Sequence, residues 1–370
     1  MTTPTAQPLP ATSRGGPMIH VQEDREPTLL VIGGGIAGAS VAYFAARSGW
    51  AVTLLDAAEA RASDVPAALL DPARGQSGRM DVRALEGLRL SWSLIRRLEA
   101  RGHRIPHEHN GVLRPLASDL ARAKFERHLP PELPHHWLTA ARSPAPLAPG
   151  WPHLLLLPEG GWLAGAALVT ALIAASRATV RRGRVATWDA HTATLAGGEV
   201  LSAEAVVWCG GSIGATWGGG TGLPTSGQTH RGGTLLLLDR AVTPLPVSSG
   251  VYLSPIIQEN GQRGGVLGAT FEAPAPQCNV GGPALRSLNW LLSRASALTG
   301  NLSSTVTGFW SGSRLSGERF GQQPGGWWAL SGLGSKGFLL GPLLARELVA
   351  ELSGHSSGPS GSPRPSSPDG

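Results

Sequence analysis

The stretch Thr28-Leu-Leu-Val-Ile-Gly-Gly-Gly-Ile-Ala-Gly38 limits the possible folds of this chain more than any other. Thr28–Ile32 is a short apolar run rich in branched side chains, as expected of a buried parallel strand. It runs straight into glycines at 33, 35 and 38, which occupy the three places of G-x-G-x-x-G. Gly33 permits a tight turn, Gly35 lets a pyrophosphate approach the backbone, and Gly38 lets the following helix lie close to the strand. The spacing predicts a helix from Ala37 to Ser48 that stops at Gly49, with Ile36, Ala37 and their neighbours offering free amides to phosphate. A second strand, Ala51–Leu55, ends in Asp56, about 20 residues beyond the glycines, where an acid accepts the adenosine ribose hydroxyls. This order of elements predicts a dinucleotide site. An acid at 56 suits FAD or NAD and disfavours NADP, so the fingerprint leaves the first two open.

The far end of the chain offers a second set of bare amides. Trp327–Leu330 reads as a strand, and glycines follow at 332, 334 and 337. A helix comes next, with Leu344, Leu348 and Leu352 on one face and an end expected at Gly354. Amides at the start of such a helix stabilise negative charge. Lys336 either adds to that charge stabilisation or is a solvated loop lysine.

Composition narrows the classes. Hydrophobic residues are 41% of the chain, which rules out wholesale disorder. Two cysteines, Cys209 and Cys278, cannot build a disulfide framework and suit a reducing cytoplasm. His103, His107 and His109 cluster, but no cysteine completes a zinc pattern, so no metal is expected. The formal charge of +6 is almost all arginine, Lys124 and Lys336 being the only lysines. Such a charge attracts polyanions such as RNA, although arginine-rich composition alone accounts for it. The longest apolar stretch, Trp162–Ala175, is too short to span a bilayer and reads as a buried helix. Residues 1–26 and 355–370 carry little to bury and are expected to be disordered tails. A cytoplasmic protein without membrane contact is expected.

From Thr28 to Leu352 the sequence resembles the D-amino-acid oxidase family of flavoenzymes. Ile32–Ala39 and Gly49–Asp56 are similar to the family's opening. Ala62–Pro72 resembles the loop that wraps the flavin, which implies flavin contacts at Ala67, Ala68 and Leu69. Gly111–Leu113 is similar to the strand entering the substrate domain, and Pro158–Leu163 to the stretch before the helix that precedes the adenine-contacting strand. Gly183–Val185 resembles the adenine-contacting strand, which implies Val185. Ala203–Gly211 resembles the strand returning to the cofactor, which implies Gly210 and Gly211, and Pro224–Gln228 the step into a large sheet. Trp310-Ser-Gly-Ser-Arg314 is similar to the W-x-G-x-R element whose arginine grips a substrate carboxylate. Gly332-Leu-Gly-Ser-Lys-Gly-Phe338 resembles the G-L-G-S-R-G loop that cradles the flavin, which implies Gly332, Gly334, Ser335, Lys336, Gly337 and Phe338.

The resemblance implies FAD and an α/β fold: a Rossmann-like FAD-binding domain with a discontinuous mixed-sheet substrate domain. The FAD part is expected from 27–100, 160–228 and 321–354, and the substrate part from 101–159 and 229–320. It also implies oxidation of a C–N bond in an amino-acid-like or N-carboxymethyl amine, with dioxygen reoxidising the flavin. Arg314 and Lys336 are the expected catalytic-site side chains. An arginine binds a carboxylate through two parallel hydrogen bonds, which fixes orientation as well as affinity. The favoured setting within the family is the wobble uridine of tRNA. A small-molecule glycine- or sarcosine-type oxidase and a non-catalytic flavoprotein are the alternatives. Tyr252 is read either as lining the substrate pocket or as core, and Cys209 as core. Two departures stand out. Leu315–Arg319 replaces the family's usual Thr-Pro-Asp continuation, here read as an altered loop, and Lys336 replaces an arginine.

Overall fold

The computed structural model describes residues 26–217, 227–258, 260–272, 282–300 and 302–356. Most of the expected tails, Pro224–Ser226 and Cys278 lie outside the described residues.

Strand Thr28–Ile32 forms as its pattern predicts and sits inside a parallel group. Ala51–Asp56 pairs with it on one side and Ala205–Trp208 on the other. Thr179–Arg182 and Trp328–Leu333 extend the group outward, also parallel. Alternation along the first strand explains its double burial. Leu29 and Val31 face a helical layer made from Ile36–Arg47, Ala84–Glu99, Gly165–Ser176 and Gly337–Ser356. Leu30 and Ile32 face Val185, Ala193 and Leu195 of a small antiparallel sheet. The helix after the glycines spans Ile36–Arg47 and ends where Gly49 takes φ of 85°.

The parallel group does not stop at a domain boundary. Val306–Gln322, a strand of 17 residues, pairs antiparallel with Trp328–Leu333 at one end and with Thr229–Leu238 along the rest. One 13-stranded sheet therefore runs through both of the regions expected to form separate domains. Beyond Thr229–Leu238 it continues through Arg263–Gly268 and Val251–Ile257 and ends at His136–Leu138. Leu236, Leu238, Leu253 and Leu267 pack beneath helix Leu285–Thr299 on the outer face. The alternate residues Leu235 and Tyr252 face inward.

Three local expectations are corrected. Trp162 and Leu163 are not helical; Gly161–Leu163 is a fully buried strand paired with Ala68–Leu70 and His107–Glu108. An apolar run gives no period to separate buried strand from buried helix, and the helix begins only at Gly165. The last helix continues past Gly354 to Ser356, held by the Trp50 indole N–H donating to Ser353 Oγ at 3.2 Å. Leu315–Arg319 is no loop but part of the long strand, with a register shift between Ser316 and Arg319. Among the described residues no helix is long and apolar enough to cross a membrane.

Candidate active site

The end of strand Thr28–Ile32 opens into a cavity of about 200 Å³. Gly33 turns the chain with φ of 110°, and a Cβ there would lie 2.6 Å from the Cys209 carbonyl oxygen. At Gly34 a Cβ would come within 2.7 Å of the Asp56 carboxyl carbon. Bare backbone is thus required on this wall. Gly35, Ile36 and Ala37 line the same cavity at the helix N-terminus, where Ser63 Oγ accepts the Ile36 amide at 2.9 Å. Gly38 does not line it; it lets the helix rest on the turn, since a Cβ there would sit 1.9 Å from Gly33 O. Asp56 is 7% exposed, accepts the Ala58 amide at 3.1 Å, and meets Arg182 at 3.2 Å and Arg61 at 3.7 Å. Val185, Trp208, Gly210 and Gly211 form the opposite wall, and Gly332, Gly334 and Gly337 close the inner end. The two glycine-rich segments, from opposite ends of the chain, therefore share one cleft.

A second cavity of about 120 Å³ continues from the first, with Ile36, Ser63, Gly334, Gly337 and Arg314 common to both. Ala67, Ala68, Leu69, Ser335 and Phe338 line it, as do Tyr252 and Trp310. Trp310, Gly312 and Arg314 project from the same face of the long strand. Gly312 has a steric reason: a Cβ there would meet the Trp310 ring at 2.4 Å. Tyr252 donates its hydroxyl to Ala67 O at 3.2 Å, and burial pushes its phenol up to about 12, so it stays neutral. Burial also holds the Arg314 guanidinium below the ordinary arginine value. No hydrogen bond or ion pair to Arg314 occurs among the described residues. An unpaired, half-buried cation facing a cavity is a receptor for an anion.

Lys336 departs from its expected place. Its ammonium lies 2.8 Å from Asp81 Oδ2, and the residue lines neither cavity. Asp81 also binds Arg83 at 3.0 Å, and Arg83 grips Glu318 through both oxygens at 2.8 Å. The altered segment after Arg314 thus supplies Glu318 to a four-residue ionic clasp, which draws Lys336 outward. The Arg83 side-chain hydrogen bonds, and then Lys336, hold the Asp81 carboxyl well below the usual carboxylate range. A depressed folded value means stabilisation present above the unfolded value of about 4 and lost as pH falls through the folded one. Asp81→Asn should therefore lower Tm by about 2 °C at pH 7, screening at the exposed Lys336 keeping the gain to about 1 kcal/mol. In thermal melts against pH, that gap should narrow below about pH 4. A gap that widens there would contradict the clasp.

Sequence reasoning missed Ser63, Arg61, Trp208 and Arg74, all at the cavities. Trp208 stacks on Trp188 with centroids 6.0 Å apart; its place in an apolar strand that ends at the glycines was the available signal. Cys209 is buried, which pushes its thiol up. Of the histidines, His109 stacks on Trp92 at 4.4 Å and His107 Nδ1 lies 2.8 Å from Ile105 O.

The family described as FAD dependent oxidoreductase matches residues 28–352. The chain belongs to that family. It is 30% identical over 93% of its length to the tRNA 5-methylaminomethyl-2-thiouridine biosynthesis bifunctional protein MnmC of Delftia acidovorans, covering 61% of that protein. The protein of the same name from Polaromonas naphthalenivorans is 30% identical over 88% of the chain and 56% of the relative. The chain thus spans about three fifths of the length of these curated relatives. Glycine oxidase from Geobacillus kaustophilus superposes with a TM-score of 0.75 at 23% identity, covering 89% of this chain and 95% of that one. Iminodiacetate oxidase from Chelativorans sp. BNC1 gives 0.73 at 22%, covering 88% and 95%. These likenesses show the α/β flavoenzyme fold.

The protein is an FAD-dependent oxidoreductase, and its residues fit the cofactor. The Gly33–Gly35 wall has room where any Cβ would intrude, Asp56 offers carboxylate oxygens, and amides gather at the Gly334–Gly337 end.

Proposed function

We propose that the protein oxidises a C–N bond of an N-carboxymethyl or amino-acid-like amine. The observation that carries this is Arg314, an unpaired guanidinium on the boundary between the two cavities. Bound FAD supplies the hydride acceptor; the chain supplies position, charge and exclusion of water. Gly33–Ala37 and Asp56 would hold the nucleotide, and Ala67–Leu69 with Gly334–Phe338 would frame the ring. Arg314 would fix the substrate carboxylate so that the carbon next to nitrogen faces the ring. Tyr252, a neutral phenol already donating to Ala67 O, offers its lone pairs to an amine N–H. No side chain is assigned as a general base, because an amine that arrives neutral needs none. Dioxygen is the proposed acceptor of the electrons.

The wobble uridine of tRNA is the proposed setting, supported by the curated relatives at 30% identity and by the positive charge of the chain. A free amino acid is the second reading, favoured by the small volume of the inner cavity. Anaerobic mixing of the flavin-loaded protein with sarcosine, glycine and undermodified tRNA separates them. Bleaching of the flavin by tRNA is expected on the first reading; bleaching by free amines alone removes it. A flavin that no amine bleaches removes both and leaves a non-catalytic flavoprotein.

A further inference from the structure

Arg74 lies at the inner cavity, on the loop after strand Ala68–Leu70, and lines it together with Arg314 and Tyr252. Like Arg314, it has no hydrogen bond or ion pair among the described residues. Its nearest acid is already taken. Asp71 is bound by Arg114 at 2.5 Å and accepts the Ala73 amide at 3.0 Å. Arg114, itself nearly inaccessible, also donates to Gly75 O. A buried ion pair rooted in strand Val112–Leu116 thus clamps the backbone on both sides of residue 74. The loop is built to present that one side chain. Burial lowers the Arg74 guanidinium, Asp71 raises it in part, and the charge of Arg314 lowers it further.

The inner cavity therefore carries two unpaired cations, and no acid is among its lining residues. A ligand with one carboxylate neutralises one of them and leaves the other partly desolvated and unpaired, which is unfavourable in a largely apolar cavity. A ligand with two acidic groups pairs both.

Resting on the reading that this cavity receives an N-carboxymethyl amine, we infer that Arg74 is a second anion-binding residue and that the preferred substrate is a secondary amine with an acidic group on each arm. The arm held by Arg314 presents its methylene to the flavin, and the acid of the other arm lies on Arg74. The wobble-uridine arm, whose second substituent is a neutral base, satisfies only Arg314, so this inference favours the free-amine reading of the site over the tRNA one.

The test uses unreactive sulfur analogues, so it does not depend on turnover. Thiodiacetate and methylthioacetate are titrated into the flavin-loaded protein, and Kd is read from the perturbed flavin spectrum. Thiodiacetate is expected to bind at least tenfold more tightly, and Arg74→Met should abolish the difference while leaving methylthioacetate within about threefold of its original Kd. Equal affinity for the two ligands in the unaltered protein overturns the inference without any variant. So does a preference that survives Arg74→Met, or a loss of both ligands together, which would mean that the two arginines share one carboxylate. If Arg74→Met does not retain flavin, Arg74→Lys is used, with a weakened but persistent preference expected. Bleaching is followed separately with iminodiacetate, sarcosine and undermodified tRNA. Tight thiodiacetate binding with no bleaching by any amine overturns the proposed oxidation and leaves the second anion site standing. Faster bleaching by tRNA than by iminodiacetate overturns the diacid preference.

Discussion

Arg314→Met is expected to lower kcat/KM for a carboxylated amine by about 30- to 4000-fold with bound flavin retained. The range follows from the roughly 2–5 kcal/mol lost when one partner of a buried charge pair is truncated. Arg314 sits in register opposite Arg231 on a strand locked by continuous pairing from Thr229 to Leu236, so its backbone does not depend on its own side chain. That is why the loss should fall on substrate and not on folding. Arg314→Lys keeps the charge but loses the planar fork, and should recover only part of the activity. Steady-state kinetics with the best amine substrate, alongside flavin absorbance per mole of protein, provide the check. A methionine variant that turns over like the parent would remove Arg314 from the site.

Gly38→Ala should cost the protein its flavin. Gly38 is helical, so alanine brings no conformational penalty there; the whole effect is steric. The added Cβ would lie 1.9 Å from Gly33 O and 3.3 Å from Val31 Cγ1, both in the interior. Neither can move away cheaply, because Gly33 N donates to Leu55 O at 2.8 Å and Val31 is fully buried. The helix must lift off the turn, carrying the Ile36 and Ala37 amides with it. Overpacking of this kind costs about 1–3 kcal/mol or more, and the displaced amides no longer point at phosphate. Purified protein is expected to be nearly colourless, with flavin content below about a tenth of the parent's, and to have a lower Tm. Gly197→Ala, where nothing lies within 4 Å, serves as the neutral control. Full flavin content in Gly38→Ala would count against the helix as a phosphate anchor.

The nucleotide half was legible because its evidence is contiguous. Strand, turn, helix and second strand follow one another within Thr28–Asp56, and Gly34 and Gly38 answer to Asp56 and Gly33, close in sequence. Distant help comes from Ser63, which receives the Ile36 amide from 27 residues away, and from Cys209, whose carbonyl oxygen crowds Gly33. The inner cavity was less legible because its side chains owe their roles to partners far along the chain. Arg74 looks like any surface arginine until Arg114, 43 residues beyond Asp71, fixes its loop. Lys336 shows the reverse. Its position in a glycine-rich loop pointed toward the flavin, but Asp81 lies 255 residues earlier and no local pattern announces it. Trp162 was misread for a different reason, since the two apolar residues between Gly161 and Ala164 carry no period at all.

Since a single unbroken backbone from Val306 to Gln322 is stitched to Trp328–Leu333 of the parallel group at one end and to Thr229–Leu238 along the rest, the two parts of the sheet are not free to swing apart. Gaping between them would mean tearing a ladder of interstrand bonds that includes the one holding Arg314. The sheet itself thus holds the two adjoining cavities, which meet at Arg314, at a fixed separation.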